Sequence, residues 1–233
     1  MRRLRALICG DKHERAARQL GATAVAGVDE VGRGSLFGPV VAAAVILPER
    51  TRIRGVRDSK QLLPEERERL EVIIRRKAIA VAIGFADAAT VDAINIRRAS
   101  HQAMLSAIAQ LLPQPDFLLI DAERLDTTCM QKAIIYGDSI SISIAAASIV
   151  AKVYRDAWMR RYHEEYPQYG LASHKGYSTE EHLRALAQHG PCPLHRMTFE
   201  PVRRVVELRS GSTPLAMVNE ILETQFVAEM SNE

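Results

Sequence analysis

The sequence predicts an α/β fold: a mixed β-sheet flanked by helices, followed by a mainly helical C-terminal portion. Three observations carry this. Short apolar runs of strand length recur between glycine and proline boundaries, at Thr23–Asp29, Pro39–Leu47, Ala78–Phe85 and Asp116–Asp121. Segments between them carry helical periodicity, and beyond residue 136 the pattern is almost wholly helical. A chain of 233 residues, 47% apolar and 25% charged, is also long enough to bury a sheet under helices without disulfide staples.

In chain order, residues 11–20 read as a short helix with Gly21 at its C-terminal cap. Thr23–Asp29 is the first strand, Gly32-Arg-Gly-Ser-Leu-Phe-Gly38 a loop, and Pro39–Leu47 a second, buried strand. Pro64-Glu-Glu-Arg opens a helix to about Arg76, with proline where its missing N–H costs nothing. Ala78–Phe85 is a third strand, Thr90–Leu112 an amphipathic helix, Asp116–Asp121 a fourth strand and Ala133–Tyr136 a fifth. The strongest helix signal spans Ile144–Tyr166, where Ile149, Val150, Val153, Tyr154, Ala157 and Trp158 form one stripe. Its Ala145-Ala-Ala147 patch would let it press closely on a sheet. Residues 167–177 read as a Gly/Pro/Tyr-rich loop, and Ser178 with Glu181 forms a capping box for the next helix. From Ser210-Gly-Ser-Thr-Pro214 onward a linker and a terminal helix are expected.

Composition narrows the class. Gly and Pro (13 and 10) and a formal charge of +3 fit neither a disordered tail nor a collagen-like repeat. The charge permits nucleic-acid binding without demanding it. Cys9, Cys129 and Cys192 are odd in number and lack a Cys-x-x-Cys pair, which excludes a zinc ribbon and favours a reducing compartment. Met1-Arg-Arg-Leu-Arg5 resembles a secretory n-region, but the apolar run after it ends at Gly10-Asp11-Lys12, too soon for a signal peptide. No stretch approaches about 18 uncharged apolar residues. The expectation is a cytoplasmic protein, monomeric and without a membrane partner.

Four acidic residues sit in apolar surroundings: the Asp29-Glu30 pair, Asp121 after Phe117-Leu-Leu-Ile120, and Asp138 after Ile-Ile-Tyr-Gly. If their strands are neighbours about 4.8 Å apart, the carboxylates converge. Like charges that close do not all stay ionised unless cations neutralise them, and oxygen donors favour Mg²⁺ or Mn²⁺. Singly, each Asp also reads as an ordinary turn or helix cap. Adjacent strand residues point to opposite faces, so the ladder is expected to end or bulge at Glu30.

Gly32-x-Gly34-x-x-x-Gly38 nearly matches a dinucleotide fingerprint, but one gap is a residue too long and a strand pattern follows where a helix is needed. The glycines fit close backbone approach to a ligand, with Arg33 available for phosphate or ribose; a plain hairpin turn is the other reading. Asp156 rivals the fourth carboxylate, though Arg155 beside it suggests a structural ion pair. The C-terminal histidines lack zinc-site spacing and read as hydrogen-bonded or solvated. Cys129 and Cys192 read as small buried groups.

Val28-Asp29-Glu30-Val-Gly32-Arg33-Gly34 with Gly38-Pro39-Val-Val-Ala-Ala-Ala, then Arg57-Asp58-Ser59-Lys60-Gln-Leu, Asp121, Gly137-Asp138, the segment Ser143–Asp156, and His174-Lys175-Gly176-Tyr177 together resemble the type 2 ribonucleases H. The resemblance covers about residues 21–203. It implies a ribonuclease H-like catalytic domain there, helical from about 167, with residues 1–20 as an extension and 204–233 as a tail. It also implies cleavage of RNA in RNA–DNA hybrids and of single ribonucleotides in duplex DNA, with Mn²⁺ or Mg²⁺ as cofactor; a non-catalytic nucleic-acid-binding module on the same fold is the alternative. By resemblance, Asp29, Glu30, Asp121 and Asp138 are catalytic metal-site carboxylates. Gly32, Arg33, Gly34 and Tyr177 sense the ribose 2′-hydroxyl and stack on the sugar, and Lys60, Ser148 and Lys152 contact phosphate. Gln225-Phe226 lacks the paired aromatics of a sliding-clamp peptide.

Overall fold

The computed structural model describes residues 9–210. The expected linker, terminal helix and Gln225-Phe226 lie outside them. The described chain forms two compact units. One comprises the chain up to Val31, Val41–Ala86 and Ala99–Tyr154; the other comprises Gly32–Val40, Asp87–Arg98 and the chain from Arg155 on.

The first unit holds a five-stranded sheet of order β3-β2-β1-β4-β5, built from β1 (Val25–Val31), β2 (Val40–Ile46), β3 (Ala80–Ala86), β4 (Phe117–Asp121) and β5 (Met130–Ile134). β1 is antiparallel to β2 and parallel to β4, and β4 is parallel to β5, so the sheet is mixed as expected. Every residue of β2 is buried, which its unbroken Val/Ala/Ile run requires. Helix α1 (Lys12–Gln19) places Glu14 in the interior. There its Oε1 accepts from Ser141 Oγ (2.6 Å) and the Ser143 amide (3.0 Å), at the start of helix α6 (Ile142–Glu165). This satisfies one of the amides that a helix start leaves open. Ala145–Ala147 are fully buried in α6. Contact with the sheet is so close that a Cβ on Gly27 would lie 2.1 Å from the Ser143 carbonyl carbon. Helix α2 (Pro64–Lys77) packs Leu70 and Ile74 into the same core, beside Val41, Ala43 and Val45.

Several expectations about the elements need correction. The helix expected over Thr90–Leu112 is two, α3 (Ala88–Ile94) and α4 (Ile96–Ala109), broken at Asn95. Asn95 takes φ 67° with ψ 160°, a positive-φ conformation outside the left-handed helical well that few non-glycine residues adopt. The fifth strand is Met130–Ile134, displaced from Ala133–Tyr136, because Tyr136 turns left-handed (φ 58°) and precedes helix α5 (Gly137–Ile140). Finally, Thr179 rather than Ser178 caps its helix. Its hydroxyl accepts from the His182 amide, so the Ser178/Glu181 box does not form.

In the second unit, residues 167–177 contain a 3₁₀ turn (Pro167–Tyr169) and a single-turn helix α7 (Leu171–His174), where a loop was expected. Helices α8 (Glu180–His189) and α9 (Glu200–Ser210) bury Leu183, Leu186, Val202 and Val205 against Leu36. α3 is held by Asp92, whose carboxylate accepts from the Met197 and Thr198 amides.

Candidate active site

The four expected carboxylates all belong to the sheet-bearing unit. The ladder between β1 and β4 ends at Val28–Ile120, while the ladder towards β2 continues regularly through Val31. Asp29 is therefore not the strand end that its apolar run suggests, and no bulge marks Glu30. Both acids lie just past the last β1–β4 pair, where the sheet has freed one edge. Asp121 is the last residue of β4, and Asp138 is the second residue of α5, two residues after left-handed Tyr136.

Burial and mutual charge tie these acids together. Asp29 is 5% exposed, and burial pushes its carboxyl well above the ordinary range. The charges of Glu30, Asp121 and Asp138 push the same way, against a hydrogen bond with Ser148. Asp121 is also raised, first by burial, although the Gly137 amide donates to its Oδ1 at 2.7 Å and Lys60 opposes the rise. Asp138 is raised by burial, then by the charges of Asp58 and Asp121. So each of the three is held in an environment that penalises its own ionised form.

Lys60 is a cation at this site. Its Nζ lies 4.0 Å from Asp138 Oδ2, with the side chain 82% exposed. Burial pulls its pKa down, but Asp138, Asp58, Asp29 and Asp121 together hold it above its ordinary value. The backbone around it is fixed by Asp58, whose carboxylate accepts from the Lys60 amide at 2.9 Å and caps a 3₁₀ turn. Sequence reasoning gave Asp58 no role of its own, although Asp-Ser-Lys before a proline-led helix is a recognisable cap. Ser148 is buried, with its Oγ 2.9 Å from Ser59 Oγ. Lys152 follows Ser148 by one turn of α6 and shares its face.

As the side chains stand, no group of three or more His, Cys, Asp or Glu among the described residues is gathered tightly enough to hold a metal ion. The donor chemistry nonetheless fits one class of ion. Asp29, Glu30, Asp121 and Asp138 supply hard oxygens only, and three of them carry a charge penalty that a divalent cation such as Mg²⁺ or Mn²⁺ would remove.

The glycine segment and Tyr177 lie in the second unit. Gly32 is buried at φ +88°, and a Cβ there would lie 2.2 Å from Arg155 Nε. Gly34 is exposed, and a Cβ there would meet nothing within 4 Å. The Arg33 carbonyl accepts from Arg196 Nη1 at 2.8 Å. Fully buried Arg155 donates to the carbonyls of Pro39 (3.0 Å), Lys175 (3.0 Å) and Phe37 (3.1 Å) and to Ser35 Oγ (2.7 Å). Its guanidinium also lies 5.6 Å from the Tyr177 ring centre. Arg155 thus does far more than pair with Asp156, the role its sequence neighbour suggested. A bridge between Ser35 and Tyr177 completes the joint.

Three free cysteines are half-buried, and burial raises their thiols, Cys9 to about 12, which leaves them poor nucleophiles. No helix among the described residues is long and apolar enough to cross a membrane.

Known proteins resemble this chain over most of its length. Residues 26–202 match the family described as ribonuclease HII. A ribonuclease HII of Solibacter usitatus (strain Ellin6076) is 57% identical over 195 residues, spanning 84% of this chain and 86% of that protein. The ribonuclease HII of Bacillus subtilis (strain 168) is 52% identical over 191 residues, spanning 82% and 75%. Among solved structures, the ribonuclease H2 of Pyrococcus horikoshii OT3 superposes with a TM-score of 0.69 at 26% identity, covering 81% of this chain and all of that one.

Proposed function

The chain belongs to the ribonuclease HII family and is a hydrolytic endoribonuclease, and from that premise we propose that it cuts RNA in RNA–DNA hybrids and cuts 5′ to single ribonucleotides embedded in duplex DNA. The products would carry 3′-hydroxyl and 5′-phosphate ends. One observation supports this reading most strongly: Asp29, Asp121 and Asp138 are each pushed towards the neutral form, by burial first and then by acidic neighbours. Strongly perturbed groups of this kind cluster at functional sites.

In this proposal Asp29, Glu30, Asp121 and Asp138 hold the divalent ions, Mn²⁺ or Mg²⁺. When bound, such ions would supply an activated water and charge to steady the departing oxygen. The remaining work falls to the chain's own residues. Lys60, already drawn to the acids and largely exposed, would hold a phosphate, with Lys152 as a second cation. Ser148, given as a phosphate contact by resemblance, would act through Asp29, to which it is hydrogen-bonded. Gly32, Arg33 and Gly34 would read the 2′-hydroxyl, the one group that separates RNA from DNA at a single nucleotide. Exposed Gly34 offers backbone at close range, and Tyr177 would stack on the neighbouring sugar.

The test uses a labelled DNA duplex with one internal ribonucleotide, and an RNA–DNA hybrid. Each is incubated with Mn²⁺, Mg²⁺ or EDTA, and the products are sized on a gel. Cutting 5′ to the ribonucleotide is expected with metal and none with EDTA. Asp121→Asn keeps an oxygen to accept from the Gly137 amide, so it should fold and still bind duplex, yet lose at least about 100-fold in rate. An unchanged rate would remove Asp121 from the mechanism.

A further inference from the structure

His174, His182 and His195 are all buried in the second unit, and their tautomers follow from the backbone around them. The Cys192 amide donates to His195 Nδ1 at 3.0 Å, so the His195 proton sits on Nε2. That Nε2 lies 3.3 Å from His182 Nε2, which must accept. The His182 proton is then on Nδ1, 2.9 Å from the carbonyl oxygen of Tyr177. His174 stacks on His182 (ring centres 4.6 Å apart, planes at 17°). It accepts at Nδ1 from the Gly176 amide at 3.1 Å and donates from Nε2 to the Tyr169 carbonyl at 2.7 Å. The bonds through His195 and His182 run one way, from the Cys192 amide to the Tyr177 carbonyl.

The rings are neutral. Burial pulls His182 down to about 4 and His195 to about 3, and Phe37 and Tyr169 pack against His195 in T-shaped contacts. Filling this space does not by itself need imidazoles, because apolar rings pack equally well without polar atoms to satisfy. The relay has a specific end point. Tyr177 receives His182 at its carbonyl, and its amide donates to the His174 carbonyl at 3.1 Å. The Gly176 carbonyl accepts from Leu36 at 2.8 Å, two residues beyond Gly34.

We propose that His182, held in one tautomer by His195 and stacked on His174, is a positioning residue that fixes the backbone of Tyr177 and thereby the placement of the tyrosine ring on the substrate sugar. The proposal rests on the reading of Tyr177 given above.

Two amide substitutions separate the ends of the imidazole. Asparagine sets its amide nitrogen near the Nδ1 position and keeps the bond to Tyr177, whereas glutamine reaches towards Nε2 and loses it. On the single-ribonucleotide duplex with Mn²⁺, His182→Asn should keep parental kcat. His182→Gln should lose about tenfold in kcat with KM little changed, as misplacement of a positioning group does. In a Tyr177→Ala background, His182→Gln should cost nothing more. Equal activity of His182→Asn and His182→Gln, or an additive loss in the double variant, overturns the proposal. Should His182→Gln not fold, His195→Gln and His195→Leu replace the pair. Only the glutamine keeps a donor to His182, so the leucine variant should lose at least about threefold, and equal activities overturn the relay. Loss in Tyr177→Ala with full activity in His182→Gln sinks the relay alone. Full activity in Tyr177→Ala sinks the role of Tyr177, and the relay's purpose with it.

Discussion

Gly32 and Gly34 look interchangeable in the sequence and are not. Gly32 is required by its left-handed φ of +88° and by Arg155, which occupies the space a side chain would take. A substitution there damages the joint between the glycine segment and Arg155 whether or not substrate touches it. Gly34 faces open space, and no such conformation holds it. It therefore isolates the question of backbone approach to the ribose. Gly34→Ala should leave the melting temperature within a degree or two, since an unstrained Gly→Ala exchange is neutral to slightly stabilising. It should lower kcat/KM on the single-ribonucleotide duplex by about tenfold, by holding the sugar away from the amide. Parental kinetics in a protein of parental stability would show that substrate does not approach this residue closely.

At the level of elements, residues whose neighbours in sequence are also their neighbours in space were readable. β2 announces itself as an unbroken apolar run, and the proline at the start of α2 and the alanines of α6 are where pattern places them. Single residues with positive φ were not readable. Asn95 and Tyr136 each redirect the chain through one dihedral angle, and no periodicity reports that in advance. The carboxylates were legible as a set of types, because acids beside apolar runs are costly. That Asp29 lies within a strand, free on the β4 side alone, depends on where a ladder between distant segments stops. The histidine relay depends on tautomers that only the fold sets. The contact of α6 with β1 gives the sharpest test of the packing. Gly27→Ala drives a methyl into the Ser143 backbone, and neither element can yield cheaply. Such overpacking should cost about 3 kcal/mol and lower the melting temperature by about 6–12 °C. Gly10→Ala, where a Cβ meets nothing within 4 Å, is the matched control. Equal melting temperatures for the two variants would contradict this packing.

Across the whole chain, two sets of buried ionisable groups make opposite demands on pH. Asp29, Asp121 and Asp138 have folded pKa values raised above the unfolded carboxylate value. The stability they contribute is fully present below about pH 4 and is lost as pH rises through their raised values. His182 and His195, lowered to about 4 and about 3, do the reverse. Their contribution is present above about pH 6.5 and is lost as pH falls towards those values, at about 2 kcal/mol each between pH 7 and pH 5. The melting temperature of the metal-free protein therefore mixes both trends and identifies neither. The increment produced by a divalent cation is cleaner, because the histidines enter both measurements and cancel. Above the raised carboxylate values, an ion relieves repulsion among the acids; in acid it must first displace protons from them. At a hundredfold excess over Kd, Mn²⁺ should raise the melting temperature by about 5–10 °C at pH 7.5. The same excess of total metal should raise it markedly less at pH 5. Asp121→Asn should shrink the increment at pH 7.5 without changing the acid limb set by the histidines. An increment that is absent, or equal at the two pH values, would mean that the strain among these acids is not relieved by a cation.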